Sequence, residues 1–568
     1  MSRRVCASRQ GAKRLSLAVV LLMALLAGNS YLAAQGTTVG QEMPGRGRDR
    51  ARNGNPPIRA TLSVKVLSED GTPVGSAQII LTRAKGTQSF RGETDYSGGF
   101  KFTALPTGLY RLRAQKEGFY VTSLTKLDLE ETESATITLN HLRKVAESVK
   151  VVYTPPMIDP SQTASSSSLN SRQIIDLPYP VPRDLRYALP LLPGVLQDST
   201  GQIHIDGSST SQILDELDGF DITDPATGEF NERIAPEALR SINVEDSRYP
   251  VEYGRASGGI LTLESDMGDD HYRFAGVNFL PTLDDQDGIH LSSWTPRLTF
   301  SGPLHKDKVW FMDGFDGEYD LFIVNGLPRG ANEDSSLRFS NIAKVQANVT
   351  PTNIFTGSFL VNYLDSPRYG LSLTTPLEST VNTGGSTYLL TAKDQIFLAG
   401  QTYLELGLAT TELRDHSLPW GNQTYVIRPN GVAGSSFESS IETAGRTEEF
   451  ANLFLPAKDW LGQQSFEIGT DDEEISYDQA YTRNPFLIEE QNGNLLQRAT
   501  FAGDESFFVH DAELSSYAQD RWSIVPRLLL EPGVRFDWDT IVHNALFSPR
   551  LAATFVPREG RETKLVAG

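Results

Sequence analysis

The chain has 568 residues, too many for one ordinary domain, and carries 51 Lys/Arg against 71 Asp/Glu for a net charge of −20. Residues 1–59 hold ten Lys/Arg and two Asp/Glu, a balance of +8, so against −20 overall the rest of the chain carries −28. That argues against nucleic acid as a partner, because phosphate binding needs clustered cations, and is read as acidic surface and loop charge.

In chain order, Arg3, Arg4, Arg9, Lys13 and Arg14 precede an apolar core over 15–27, followed by Gly28, Ser30, Ala33 and Ala34. Those 13 residues fall short of the roughly 20 needed to span a bilayer, so 1–34 reads as a secretory signal peptide. The single cysteine, Cys6, precedes that core. Cleavage leaves a chain without thiols and hence without disulfides or a thiol nucleophile. Residues 35–59, rich in Gly, Arg, Asn and Pro, read as a flexible leader.

From 60 to 142 short alternating runs are separated by turn residues: Leu62, Val64 and Val66 against Ser63 and Lys65, a turn at Asp70-Gly71, a strand over 77–82, and further runs through Phe100, Tyr110, Leu112 and Leu139. This period predicts a small antiparallel β-sandwich. These residues resemble the carboxypeptidase regulatory-like domain, which in such a setting is non-catalytic.

Residues 143–168 form a linker. Its part AESVKVVYTPP (146–156) sets Val149, Val151 and Tyr153 against Lys150, Val152 and Thr154 and is stopped by Pro155-Pro156. It resembles the TonB box, an exposed strand that adds to a partner's sheet edge; an ordinary linker or a last sandwich strand remains open. The resemblance assigns TonB binding to Val149, Val151, Val152 and Tyr153.

Over 169–267 amphipathic segments at 171–177 and 184–192 precede strand patterns at 202–206 and 213–217, a turn at Asp218-Gly219-Phe220, a helical turn at 236–240, and strands at 241–245 and 259–264. Ile242, Val244, Tyr253, Gly254, Gly258, Gly259 and Ile260 resemble the closing half of the plug domain of TonB-dependent outer-membrane receptors, and Asp218-Gly219 is a further plug-like feature. The acidic group Asp215, Glu216, Asp218, Asp221 and Asp224 lacks the spacing of a calcium loop, and turn chemistry accounts for it.

From 272 onward strand-sized alternating segments dominate. Over 528–538, Leu528, Leu530, Val534, Phe536 and Trp538 share one face, and Leu529, Glu531, Gly533, Arg535 and Asp537 the other. A strand apolar on one side and charged on the other suits a lipid-facing wall with a wet lumen. The polar stretches 419–446 and 476–505 read as extracellular loops. Segments 308–318, 516–539 and 547–557 resemble the barrel of Oar-like TonB-dependent receptors.

The fold class expected is therefore mainly β: an N-terminal β-sandwich, an α+β plug, and over 268–568 the first part of a large antiparallel transmembrane β-barrel. About 12 or 13 strands are expected, giving a diameter near 26 Å, whereas a plug of this size is about 32 Å across. A barrel of roughly 22 strands, near 44 Å, would hold it, so the barrel is expected to be truncated.

The resemblance implies a transporter in the outer membrane of a Gram-negative bacterium, with its N-terminal domain in the periplasm. Its partners would be a TonB-type energy-transducing protein, outer-membrane lipid and an extracellular ligand of unread identity. No cofactor, metal or catalytic residue is assigned. An adhesion or sensing protein of the same architecture is the alternative. A secreted metallohydrolase is the third reading, on the His510-x-x-Glu513 spacing with His543 as the remaining histidine.

Overall fold

The computed structural model describes residues 59–139 and 163–568, apart from 69–73, 75–76, 84–88, 96–97, 117–118, 120–121, 130–131, 179–183, 287, 307, 351, 399–401, 504, 526 and 558–563. The stretch read as a signal peptide, all but the last residue of that read as a leader, and the segment containing Val149, Val151, Val152 and Tyr153 lie outside the described residues.

The N-terminal unit is a sandwich of two sheets, one of Gly99–Pro106, Arg59–Ser68 and Thr132–Leu139, the other of Ser89–Glu93, Gln78–Arg83, Gly108–Gln115 and Thr122–Leu129. Alternation places Leu62, Val64 and Val66 in the core with Ile79, Leu81, Leu112 and Ile137. One expectation is corrected: the sandwich is not antiparallel throughout, because Arg59–Ser68 runs parallel to Thr132–Leu139. Parallel neighbours need a long crossover, and the intervening strands supply it. No short-range signal in either strand announces that pairing.

A second unit follows, here the inner domain. Its sheet holds β1 (Ser165–Asn170), β2 (Ile213–Leu217), β3 (Phe220–Asp221), β4 (Leu239–Ser247) and β5 (Gly259–Ser265), in the order β3-β2-β5-β4-β1. The β2–β5 pair is parallel and the others antiparallel. Helix α1 (Ser171–Asp176) starts in a capping box, Asn170 Oδ1 accepting from the Gln173 amide at 2.9 Å and Gln173 Oε1 from the Asn170 amide at 3.0 Å. The segment expected to be amphipathic at 184–192 forms two short 3₁₀ turns.

Among the described residues the remainder is a wall of sixteen strands, of which Thr282–Asp284, His290–Trp294 and Lys458–Asp459 pair off to the side and thirteen form one antiparallel path: β6 (Arg273–Val277), β7 (Arg297–His305), β8 (Val309–Ile323), β9 (Glu333–Thr350), β10 (Asn353–Tyr369), β11 (Val381–Phe397), β12 (Tyr403–Pro419), β13 (Glu438–Phe454), β14 (Gln463–Arg483), β15 (Ser506–Val525), β16 (Leu528–Asp539), β17 (Leu546–Phe555) and β18 (Leu565–Ala567). The path is open, with β6 and β18 at its two edges. At one end only two or three residues separate β7 from β8, β9 from β10 and β15 from β16, and at the other the strands are separated by longer segments such as 324–332, 420–437 and 484–505.

The alternation read along 528–538 holds through the wall. On β10, Phe355, Phe359 and Tyr363 face outward and exposed, while Ser358 and Leu360 are buried inward. Outward aromatics stack across strands, as in Phe315–Phe339–Tyr363. The extents differ from expectation. β13 begins at Glu438 and β14 continues to Arg483, inside the stretches read as loops. Spanning a bilayer takes about 9–11 strand residues, and β14 has 21. The surplus, over 438–446 and 476–483, is mostly polar and so carries little alternation to read. The true connections, 420–437 and 484–505, themselves contribute to a four-stranded sheet of Gly431–Ala433, Val426–Arg428, Phe486–Glu489 and Leu495–Ala499.

The inner domain packs inside this wall. Its apolar core includes Leu185, Leu189, Phe220, Ile242 and Leu263 together with Met312, Ile342, Leu360, Leu389, Ala409 and Phe450, one inward residue from each of β8 to β13.

Candidate functional site: the contact between inner domain and wall

The turn joining β2 to β3 has Asp218 and Gly219 at φ 54° and 83°. Two consecutive left-handed residues make the tight antiparallel reversal that Asp-Gly favours. The turn leaves the Asp218 carboxylate accepting from the Ser265 amide at 3.0 Å, the Ser265 hydroxyl, and Lys344 Nζ of β9 at 3.0 Å. Burial opposes ionisation of Asp218, yet the Lys344 ammonium and the Ser265 bonds outweigh it and hold the carboxyl below its usual range. Lys393 of β11 donates to the Asp218 carbonyl and lies 5.2 Å from the Phe220 ring centroid and 5.8 Å from that of Phe450, a cation held over two aromatic faces.

The largest group of charges surrounds Asp221. Arg446 of β13 places Nη1 2.9 Å from Asp221 Oδ1, Nε 3.1 Å from Glu473 Oε2 of β14, and donates to the Thr223 carbonyl at 2.8 Å. Glu448 Oε2 accepts from the Asp221 amide at 3.0 Å. From the inner domain, Arg255 reaches Glu473 Oε2 at 3.0 Å and also Glu513 of β15. A third set joins Arg233 to Asp316 at 2.6 Å and to Glu318, both on β8. The pairing is reciprocal: wall cations meet inner-domain carboxylates, and inner-domain arginines meet wall carboxylates. Between them lies a cavity of about 60 Å³, lined by Glu216, Asp221, Tyr253, Arg255, Asp471 and Glu473, polar and large enough for water.

Two inner-domain carboxyls resist ionisation. Burial, reinforced by Asp221, pushes Asp215 up to about 8, and burial, reinforced by Asp224 and Asp415, pushes Glu232 up to about 8. Asp224 does local turn work, its Oδ1 accepting from the Ala226 amide at 2.7 Å and the Thr227 amide at 3.1 Å.

The plug-motif residues occupy two separate places. Asp218 and Gly219 follow β2, whereas Gly259 begins β5; because β2 and β5 are parallel, with Ile213 opposite Gly259 and Leu217 opposite Leu263, these are opposite ends of one ladder. Tyr253 is buried with Ala256 and Ile260, and burial raises its phenol well above the usual value. Gly254 lies beneath Arg535, Gly258 abuts Ser208, and Gly259, at φ 151°, would bring a Cβ to 3.0 Å from the Glu245 carbonyl oxygen.

Sequence reasoning missed Lys344, Lys393, Arg446, Glu473 and Glu513 as contact residues. Their inner-domain partners lie far along the chain, and the local signal is a charge on the inward parity of an amphipathic strand, in Glu473 one of a run of four acidic residues. His510 and Glu513 do not converge. Three residues apart on β15 they point to opposite faces, His510 exposed and Glu513 inward against Arg255. The metallohydrolase spacing is thus an accident of strand sequence.

Known proteins supply the class. Residues 61–140 match the carboxypeptidase regulatory-like domain, and residues 329–563 match the TonB dependent receptor-like β-barrel. The fold is similar to the outer membrane transporter YddB of Escherichia coli, with a TM-score of 0.53 and 18% identity over 69% of this chain and 58% of that one. It is also similar to the siderophore receptor PirA of Acinetobacter baumannii, with a TM-score of 0.52 and 16% identity over 72% and 61%. Fold and matches together define a β-barrel of the outer-membrane kind found in Gram-negative bacteria.

By these matches the chain resembles the TonB-dependent receptors, in its barrel over 329–563 and in its N-terminal unit over 61–140. It is similar to the TonB-dependent transporter Oar of Myxococcus xanthus, 25% identical over 319 residues, which make up 51% of this chain and 29% of that protein. It thus spans less than a third of that relative and about three fifths of the solved receptors.

Proposed function

We propose that the protein imports an extracellular ligand across the outer membrane, driven by a TonB-type partner, with the inner domain as the plug that blocks and then opens the passage. The observation that carries this is the reciprocal set of ion pairs around Asp221, Arg255, Arg446 and Glu473 lining a polar cavity. Apolar contacts lose their stabilisation when water enters. Charged groups flanking a polar cavity have water within reach as a replacement partner, which suits a body that must leave its seat and return.

In this reading residues 146–156 are the strand grasped by the partner, through Val149, Val151, Val152 and Tyr153, and the sandwich stands with them in the periplasm. The motif residues Asp218, Gly219, Tyr253, Gly254, Gly258 and Gly259 shape the plug's two contact ends. No covalent step is involved. Deleting residues 146–156 from the full-length protein should abolish energy-dependent uptake while surface binding of the same ligand survives. Uptake at the undeleted rate contradicts the proposal, and binding without uptake in the undeleted protein favours adhesion or sensing.

A further inference from the structure

We infer that Arg535 of the wall is a positioning residue that latches residues 248–258 of the inner domain in place, and that Gly254 is a glycine in order to seat its guanidinium. The inference rests on the proposed import only for its consequence; the geometry stands alone. Residues 248–258 form the strap between β4 and β5 and carry the Tyr253-Gly254 motif.

Arg535 is buried on the inward face of β16, and all three of its nitrogens are engaged. Nε donates to Asp537 Oδ1 at 2.7 Å and Nη2 to Ser515 Oγ at 2.6 Å, which fixes the guanidinium plane against β15 and β16. Nη1 donates to the carbonyl of Glu252, in the strap. A rigid planar fork held on two sides by its own wall presents its third side to a backbone oxygen.

Gly254 is not at positive φ, so its backbone shape is open to any residue. Sterics supply the reason for glycine: a Cβ there would overlap Nη2, Cζ and Nε of Arg535. The wall grips the same strap at neighbouring backbone groups. Arg550 of β17 donates to the Pro250 carbonyl at 2.8 Å and lies 5.2 Å from the centroid of the Tyr249 ring; the Val251 amide donates to Gln519 Oε1 at 2.9 Å. Gly533 leaves room for the Val251 side chain, whose Cγ1 lies 2.8 Å from where a Cβ would stand.

Gripping backbone groups makes this part of the hold indifferent to the side chains at 250 and 252; Arg255, in the same strap, adds its own ion pairs to Glu473 and Glu513. Glu252, Tyr253, Gly254 and Arg535 also line the cavity between the two bodies. Turning Arg535 away therefore frees the strap and widens that cavity beside β15 and β16, the side on which the plug would first part from the wall.

The test is amide hydrogen exchange of residues 248–258 in the purified full-length protein, comparing Gly254→Ala, Arg535→Ala, the double variant and Arg535→Lys. Each single alanine variant should speed exchange in the strap by about tenfold, with the sandwich unchanged, and the double variant no further, since both changes remove one latch. Arg535→Lys should recover part of the protection, because an ammonium still reaches one carbonyl.

Additive effects, or strap protection untouched by Gly254→Ala, overturn the inference. Gly254→Ala keeps Arg535 and its wall partners Asp537 and Ser515 in the chain, so it remains informative if Arg535→Ala does not fold. The readout is independent of transport: failure of uptake in the 146–156 deletion tests the import reading, and strap exchange tests the latch.

Discussion

The sandwich and the inner domain are both small β-rich units with apolar cores, yet they close those cores differently. Every member of the sandwich's core cluster, from Ala60 to Leu139, comes from the sandwich itself. The inner domain's cluster borrows Met312, Ile342, Leu360, Leu389, Ala409 and Phe450 from six successive wall strands, and its carboxylates borrow Lys344 and Arg446. One unit is finished by its own chain segment; the other is finished by its container. That difference suits a spacer on one side and a plug on the other.

The most severe way to disturb the contrast is to remove a shared charge. Arg446→Ala leaves Asp221 and Glu473 buried with Arg255 as their one remaining cation, which should cost about 3–5 kcal/mol of inner-domain docking. Chemical denaturation followed by inner-domain exchange should show that loss with the sandwich's own transition unmoved.

Removing a core side chain from the self-contained unit is the converse. Leu112 is fully buried, and Leu112→Ala should cost about 2–5 kcal/mol, confined to the sandwich transition. A simultaneous loss of inner-domain protection would break the comparison.

Proton linkage sharpens it further. Asp215 and Glu232 are both pushed up to about 8 in the docked inner domain, against ordinary values of about 3.9 and 4.3. Below pH about 4 both forms are protonated whether docked or not, and no difference arises. As pH rises from about 4 to 8 the released form ionises freely while the docked form resists, so docking weakens across that window and levels off above it. Exchange in residues 213–234, corrected for the intrinsic rate, should rise between pH 5 and 8, and Asp215→Asn should flatten the dependence. The sandwich serves as the internal control.

The smallest effect expected is Tyr110→Phe. The Tyr110 hydroxyl donates to the Pro106 carbonyl at 2.7 Å within the sandwich, so its loss should cost about 1 kcal/mol there and nothing elsewhere.

Local chemistry was legible where one face of a strand is dry. Leu62, Val64 and Val66 announced the first sandwich strand, 528–538 announced β16, Asp218-Gly219 announced its turn, and the run from Gly259 matched β5 almost residue for residue. Periodicity failed where a strand is mostly polar, which is why Glu438 to Arg446 and Ser476 to Arg483 read as loop. The parallel pairing of the sandwich's first and last strands was illegible because register over such separation leaves no local mark. The same holds for the contact site. Tyr253 and Gly254 stood out as a motif, but the reason for Gly254 is Arg535, 281 positions later, and nothing in either neighbourhood names the other.

The central claim, that the sandwich is self-contained while the inner domain is completed by the wall, is tested most directly by expressing residues 60–142 and residues 169–267 separately and following thermal unfolding by circular dichroism. The account predicts a cooperative transition for the sandwich and none for the isolated inner domain. An inner domain that unfolds cooperatively on its own, with stability comparable to the sandwich, would contradict it.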